Sequence, residues 1–187
     1  MPGENLTRLE AEERAALLAV ESYAIALDLT TSPETFRSTT TVRFAADGGT
    51  TTFIDAITAA VHSVTLNGVE LDAKVVNDGL RIQLDGLQAQ NELTVVADFE
   101  YTNTGEGLHR FVDPVDQEVY LYSQFEVPDS RRVFAVFEQP DLKATFQFTV
   151  TAPSGWVLVS NSPTPAPVTK GEHAVWTFEA TPRISSY

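Results

Sequence analysis

The chain has 187 residues, a formal net charge of −14, a sequence pI near 4.4 and no cysteine. This length suits one domain, here residues 1–187, and a 43% share of apolar residues is typical of a globular protein. The negative charge argues against nucleic acid and anionic membranes as partners, and the lack of cysteine excludes disulfides and thiolate metal sites.

The first residues of the sequence lack the apolar core of a signal peptide. No apolar run approaches about 18 residues, the length of a membrane span. A chain without cysteine also suits a reducing compartment. These features together predict a cytoplasmic location.

One substantial helix is predicted, over residues 5–18. Thr7 and Glu10 have the spacing of a capping box, in which each side chain accepts a hydrogen bond from the other's backbone N–H. Apolar residues recur at helical intervals between Leu6 and Val20. We expect this helix to pack on the edge of the structure that follows.

From about Val20 the period of the apolar residues changes to two, which indicates strands. Asn67-Gly68 is the strongest hairpin signal in the sequence, and it connects a strand ending at Leu66 to one that we expect to return over residues 71–76. The strand that ends at Leu66 is predicted over residues 61–66. The remaining predicted strands cover residues 23–29, 36–44, 51–56, 80–84, 93–101, 120–126, 144–152 and 173–180. Strands this frequent, separated by turns, predict an all-β fold: a saddle-like, multi-sheet β-sandwich domain with one short N-terminal helix.

The histidines do not form a recognisable metal motif. His62 and His173 are predicted on strand surfaces and His109 in a loop, where a structural role is favoured. There is no Gly-x-Ser-x-Gly elbow, phosphate-binding loop or dinucleotide fingerprint. The sequence therefore argues against a self-sufficient enzyme.

Two groups of carboxylates have simple structural explanations. Asp113 and Asp116 flank a Pro-Val turn, and two carboxylates do not supply the six or more oxygen ligands that calcium takes. Glu138 and Asp141 surround Pro140 and predict a turn or a short helix end.

The stretch from Tyr120 to Phe146 contains the strongest candidate site. In an extended chain, Gln124 and Glu126 share one face and Phe125 is buried behind them. An amide beside a carboxylate can bind a cation that carries several N–H donors, such as an ammonium group. Without the resemblance described next, the sequence slightly favours a solvated strand end over a binding site at Gln124 and Glu126.

Several motifs resemble, in the same order, the N-terminal domain of M1-family zinc aminopeptidases. The opening looks most similar to the actinobacterial type of aminopeptidase N within that family. The matching stretches cover residues 5–8, 23–44, 107–126, 131–134, 138–146, 156–161, 181–182 and 185–187.

The resemblance implies a saddle-like β domain that packs on a separate catalytic domain, which carries the zinc and the general base. It implies no catalytic residue and no metal ligand in this chain. It also implies that Gln124 lines the pocket for the substrate's first side chain and that Glu126 binds the free α-ammonium group of a peptide. Ser123 stands where the family usually has threonine, and Gln139 stands where it has an acid, so the region around Gln139 is expected to have a packing role.

An alternative from another class is a stand-alone β-sandwich module that binds carbohydrate or a protein partner. Aromatic side chains in a line on one open face, such as Trp156, Trp176 and Tyr120, would support that alternative.

Overall fold

A computed structural model describes residues 5–187 of the chain, so Met1–Glu4 of the expected single domain lie outside the described residues. The strands are β1 (Leu18–Asp28), β2 (Thr35–Ala46), β3 (Thr52–Asp55), β4 (Ala60–Leu66), β5 (Val69–Leu71), β6 (Arg81–Leu84), β7 (Gln90–Glu100), β8 (Gly107–Val112), β9 (Val119–Gln124), β10 (Thr145–Pro153), β11 (Val168–Lys170) and β12 (His173–Thr177). The helices are α1 (Arg8–Leu17), the single turn α2 (Ala73–Val76) and a 3₁₀ turn at Ser130–Arg132. Strands dominate, and the all-β prediction is confirmed.

Eight strands form one large sheet in the order β11-β12-β10-β1-β2-β7-β4-β5. Neighbouring strands are antiparallel except for β1 and β10, which pair in parallel. Two smaller sheets accompany it, β3 with β6 and β8 with β9. Among residues 5–187, no helix is long and apolar enough to cross a bilayer.

The long strands bury one side chain in two, as the apolar alternation predicts. In β1, Tyr23, Ile25 and Leu27 are buried, and the residues between them face solvent. The opposite face of the large sheet carries charged pairs, such as Arg37 Nε with Asp98 Oδ1 at 2.8 Å. The hydrogen bond from Arg37 lowers the pKa of Asp98.

A second layer covers the buried face of the large sheet. It contains β3, β6 and the continuous buried run from Val133 to Phe137. Aromatic rings join the layers: Phe137 packs edge-on against Phe44, with ring centroids 5.1 Å apart. The two layers give the sandwich that the sequence predicts.

Helix α1 begins with the predicted capping box, but its buried side differs from the predicted one. Thr7 N donates to Glu10 Oε2 at 2.8 Å, and Glu10 N donates to Thr7 Oγ1 at 3.2 Å. The expected apolar stripe is wrong, because Leu9 is 63% exposed and the buried residue of the helix is Arg14. The helix is therefore attached to the sheets by a charged side chain.

The Asn67–Gly68 hairpin is confirmed, but its predicted return strand is largely wrong. Both turn residues have positive φ, as a tight hairpin turn requires, and β4 pairs with β5. Strand β5 ends at Leu71, and α2 occupies most of the range expected to be a strand. The cause is Asp72, whose carboxylate accepts a hydrogen bond from Lys74 N at 3.0 Å and starts the helical turn.

The carboxylate of Asp55 lies at the centre of a buried polar network. Its Oδ2 accepts hydrogen bonds from Arg14 Nη1 at 2.7 Å and from Glu138 N at 3.1 Å. Arg14 also donates to Gln139 Oε1 at 3.0 Å. Asp55 therefore joins α1, β3 and the segment that follows Phe137.

Arg81 extends this network to the helix. It forms an ion pair with Asp55 at 3.8 Å, donates to Glu10 Oε1 at 2.6 Å and lies over the ring of Phe53 at 4.0 Å. The hydrogen bond from Arg81 lowers the pKa of Glu10 to about 2, so Glu10 stays ionised in mild acid. The buried guanidinium groups of Arg14 and Arg81 thus lie beside the carboxylates of Asp55 and Glu10.

Replacing Asp55 tests the structural importance of this network. Asp55→Asn keeps the side-chain shape and leaves two buried guanidinium groups without their shared counter-charge. We expect the free energy of unfolding to fall by about 3–5 kcal/mol, measured by urea unfolding followed by circular dichroism. The control is Glu12→Gln, because Glu12 pairs with Arg8 at the surface, with side chains 59% and 91% exposed. This control is expected to change stability by less than about 0.5 kcal/mol, and an equally small change for Asp55→Asn would contradict the assignment.

Candidate functional site

The candidate site lies at the end of the β8–β9 hairpin. The two strands pair in register from Gly107 with Gln124 to Val112 with Val119. The connecting turn is stabilised by its aspartates, since Asp113 Oδ1 accepts from Val115 N at 2.7 Å. This confirms that these carboxylates form a turn.

Strand β9 ends at Gln124, two residues earlier than the sequence predicts. Phe125 is half-buried and packs edge-on against Phe134, with centroids 5.7 Å apart. The chain then turns, with a cis peptide at Val127–Pro128, and Asp129 N donates to Phe125 O at 3.4 Å. Glu126 is therefore presented by a turn and not by the strand.

Gln124 and Glu126 are adjacent and exposed. Gln124 Oε1 accepts a hydrogen bond from Glu126 N at 2.6 Å, which fixes the amide against the turn. Within residues 5–187, the carboxylate of Glu126 has neither a hydrogen bond nor an ion-pair partner. A carboxylate that projects from an anchored backbone in this way can receive a cationic N–H donor from outside the domain.

The turn that carries Glu126 is anchored to the buried network. Asp129 Oδ1 accepts from Arg132 Nε at 3.0 Å within the 3₁₀ turn. Glu138, which is buried, accepts hydrogen bonds from Ser130 Oγ and, at 3.1 Å, from Arg131 N. The position of Glu126 thus depends on contacts with residues far inside the domain.

A glycine permits the close approach of the hairpin to this turn. Gly107, opposite Gln124, has a φ of +61°, and a Cβ built there would lie 2.9 Å from Arg132 Cβ. Any larger residue requires both an unfavourable backbone conformation and a shift of the hairpin. The site geometry therefore requires glycine at position 107.

A cavity of about 520 Å³ lies behind the hairpin, between β9 and residues 155–161. Its lining is largely apolar and includes Leu108, Phe125, Phe148 and Trp156. Neither Gln124 nor Glu126 lines it, but Phe125, which lies between them in the chain, does.

Comparison with known proteins assigns the chain to a family. A model described as the Peptidase M1 N-terminal domain matches residues 19–187. The chain belongs to this family. The resemblance found in the sequence motifs is confirmed.

The curated relatives of this family member are aminopeptidases. Aminopeptidase N of Streptomyces lividans is 64% identical over 191 residues, which cover 100% of this chain and 22% of that protein. Aminopeptidase N of Lactococcus lactis subsp. lactis is 28% identical over 89% of this chain and 20% of its own length. The leucyl aminopeptidase of Saccharolobus solfataricus is 25% identical over 91% of this chain and 21% of its own length. The chain spans about a fifth of the length of each of these three relatives.

The three histidines considered in the sequence analysis do not come together in a metal site. His62 Nε2 lies 2.7 Å from Asp98 on the outer face of the large sheet, and His173 is exposed on β12. The prediction that His109 lies in a loop is wrong: it lies on β8, where its ring stacks on that of Tyr122 with centroids 4.7 Å apart. In the described part of the chain, no group of three or more His, Asp or Glu side chains could hold a metal ion.

Sequence reasoning missed Asp55, Arg14 and Arg81 and only partly described Glu138. The expected packing role around Gln139 is confirmed by its burial. No local pattern marks these residues, because Arg14 and Asp55 are 41 positions apart.

Gly107→Ala tests the close packing under the site. We expect the free energy of unfolding to fall by about 1–3 kcal/mol, because a left-handed backbone and a displaced hairpin both oppose the substitution. Gly155→Ala is the matched control, since Gly155 has no atom within 4 Å of a built Cβ and no positive φ. Equal unfolding midpoints for the two variants in urea would contradict the packing described for Gly107.

Proposed function

We propose that this chain is the N-terminal domain of a zinc-dependent aminopeptidase, and that Glu126 binds the α-ammonium group of the peptide substrate. The exposed Glu126 carboxylate, without a partner among the described residues and set beside Gln124, carries this proposal. In this proposal, no residue of this domain takes part in breaking the peptide bond. It supplies one charged anchor to a site completed by the rest of a longer protein.

The chemistry of the anchor explains exopeptidase selectivity. An N-terminal α-ammonium group offers three N–H donors and a positive charge, whereas an internal peptide nitrogen offers one neutral N–H. A carboxylate therefore favours the free terminus, with a charge-assisted hydrogen bond worth roughly 1.5–3 kcal/mol. Gln124, held against the same turn, is proposed to border the pocket for the first side chain.

Zinc, which family membership suggests for the whole protein, would act as a Lewis acid at the scissile carbonyl. The described residues do not provide a ligand set for it. We place its ligands in the catalytic domain of the longer protein, on which this domain packs. A cytoplasmic location stays a prediction.

The stand-alone binding module has less support. Trp176 is buried at 3% exposure and Trp156 is half-buried, whereas Tyr120 is 51% exposed. These side chains do not form the open aromatic line that such a module would present.

Glu126→Gln in the intact protein tests the anchor. We expect kcat/KM for aminoacyl substrates to fall by about 10-fold to 150-fold, since the charge-assisted part of the contact is lost. Glu172→Gln is the control, an exposed carboxylate in the turn between β11 and β12. The anchor role would be refuted if both variants retained kcat/KM within about twofold of the unmodified protein.

A further inference from the structure

We propose that the cavity behind the β8–β9 hairpin binds a small molecule that has an apolar body and a carboxylate head. The apolar body fills the cavity, and the carboxylate pairs with the guanidinium group of Arg110. This binding site does not depend on the amine-binding role proposed for Glu126.

The space behind the hairpin consists of two adjoining chambers. The larger chamber, of about 520 Å³, is the cavity between β9 and residues 155–161. The smaller chamber has a volume of about 250 Å³. Four residues line both of them: Leu29, Val119, Leu121 and Trp156. The two chambers are therefore neighbouring parts of one crevice.

The larger chamber suits an apolar body. Five of its lining residues belong to the hydrophobic core and are 8% exposed or less: Leu27, Leu108, Val133, Val150 and Phe178. The half-buried rings of Phe125, Phe148 and Trp156 add further apolar wall. Sites that enclose small organic molecules have volumes of roughly 300–1,000 Å³, and this chamber falls in that range.

The smaller chamber supplies a positive charge. Arg110 lines it together with the polar side chains of Ser32, Tyr101 and His173, and none of its described lining residues is acidic. Arg110 is half-buried, and within residues 5–187 its guanidinium group forms neither a hydrogen bond nor an ion pair. A carboxylate is the natural complement of this group, because it can accept two parallel N–H donors from one guanidinium.

The charges of the lining also determine the orientation of the molecule. Among the described residues, Glu118 is the one acidic residue that lines either chamber, and it lines the larger one. A carboxylate head is repelled by Glu118 and attracted by Arg110, so it occupies the smaller chamber. The apolar body then extends past Trp156, which lines both chambers, toward Phe125.

Isothermal titration calorimetry on the intact, longer protein tests the site, with hexanoate, octanoate and octan-1-ol as probes. Octanoate should bind about 15-fold more tightly than hexanoate, because each additional methylene group that is buried strengthens binding about fourfold. Carboxylate binding elsewhere in the longer protein is distinguished by variants of the lining residues.

Arg110→Gln tests the assignment of the carboxylate head. We expect it to weaken octanoate binding about 10-fold and to leave octan-1-ol binding unchanged, since the alcohol carries no charge to pair with Arg110. Lys74→Gln is the matched control, because Lys74 is exposed on α2 and lines neither chamber. The control should stay within about twofold of the unmodified protein for both probes.

Leu158→Trp tests the position of the apolar body. Leu158 lines the larger chamber, so the added ring should fill the chamber and abolish the binding of both probes. Val168→Trp is the control, since Val168 is 63% exposed on β11 and lines neither chamber. If Leu158→Trp lowers the urea unfolding midpoint, Ser160→Trp, at another lining residue of the larger chamber, replaces it.

Three results would overturn the proposal. Octanoate could show no saturable binding, which is the result expected if other residues of the longer protein fill the cavity. Octanoate binding could persist in both Leu158→Trp and Ser160→Trp, which would place it elsewhere. Arg110→Gln could weaken octanoate and octan-1-ol equally, which would exclude a carboxylate head at Arg110.

Discussion

Two buried carboxylates, Asp55 and Glu138, connect parts of the chain that are far apart in sequence. Asp55 receives Arg14 from the helix and faces Arg81 from β6, while Glu138 receives hydroxyl and amide hydrogens from the 3₁₀ turn and from Ser186. Burying a carboxylate costs several kcal/mol, so each must be compensated by partners in fixed positions. The hydrophobic sandwich supplies most of the stability, but this network determines how the helix, the second layer and the last residues are placed on it.

The same network explains why the backbone of the turn that carries Glu126 is held in place. The turn that carries it is bounded by Phe125, packed on Phe134, and by the 3₁₀ turn, whose amide and hydroxyl hydrogens are bound by Glu138. The buried carboxylate of Glu138 therefore helps to fix the turn that carries the surface charge of Glu126. This arrangement keeps the entropy cost of fixing the anchor low, since the backbone around Glu126 is ordered before a ligand arrives.

The sequence predicts the parts of the fold that depend on local alternation and turn chemistry. The long strands β1, β2 and β7, the Asn67–Gly68 hairpin and the capping box of α1 are all found. The apolar stripe expected on one side of α1 is wrong, because the residue buried there is Arg14, which is paired with the distant Asp55. The strand expected after Leu71 fails because the cap at Asp72 overrides the apolar pattern.

Local alternation and turn chemistry are not sufficient to identify the candidate site. Periodicity places Gln124 and Glu126 on one face, but that pattern alone slightly favours a solvated strand end over a binding site. The resemblance to M1 aminopeptidases selects the pair, and the structure adds that both residues are exposed and that the Gln124 side-chain oxygen accepts a hydrogen bond from Glu126 N. The supporting contacts from Gly107, Glu138 and Ser186 could not be predicted, since they join residues that no local pattern relates.

The central claim is that the Glu126 carboxylate binds the substrate's α-ammonium group. Its most direct test compares, in the intact protein with and without Glu126→Ala, kcat/KM for an aminoacyl substrate and for the same substrate without its α-amine. If the carboxylate binds this group, the two losses are not additive and their coupling free energy is about 1.5–3 kcal/mol. Fully additive losses, with a coupling below about 0.5 kcal/mol, would contradict it.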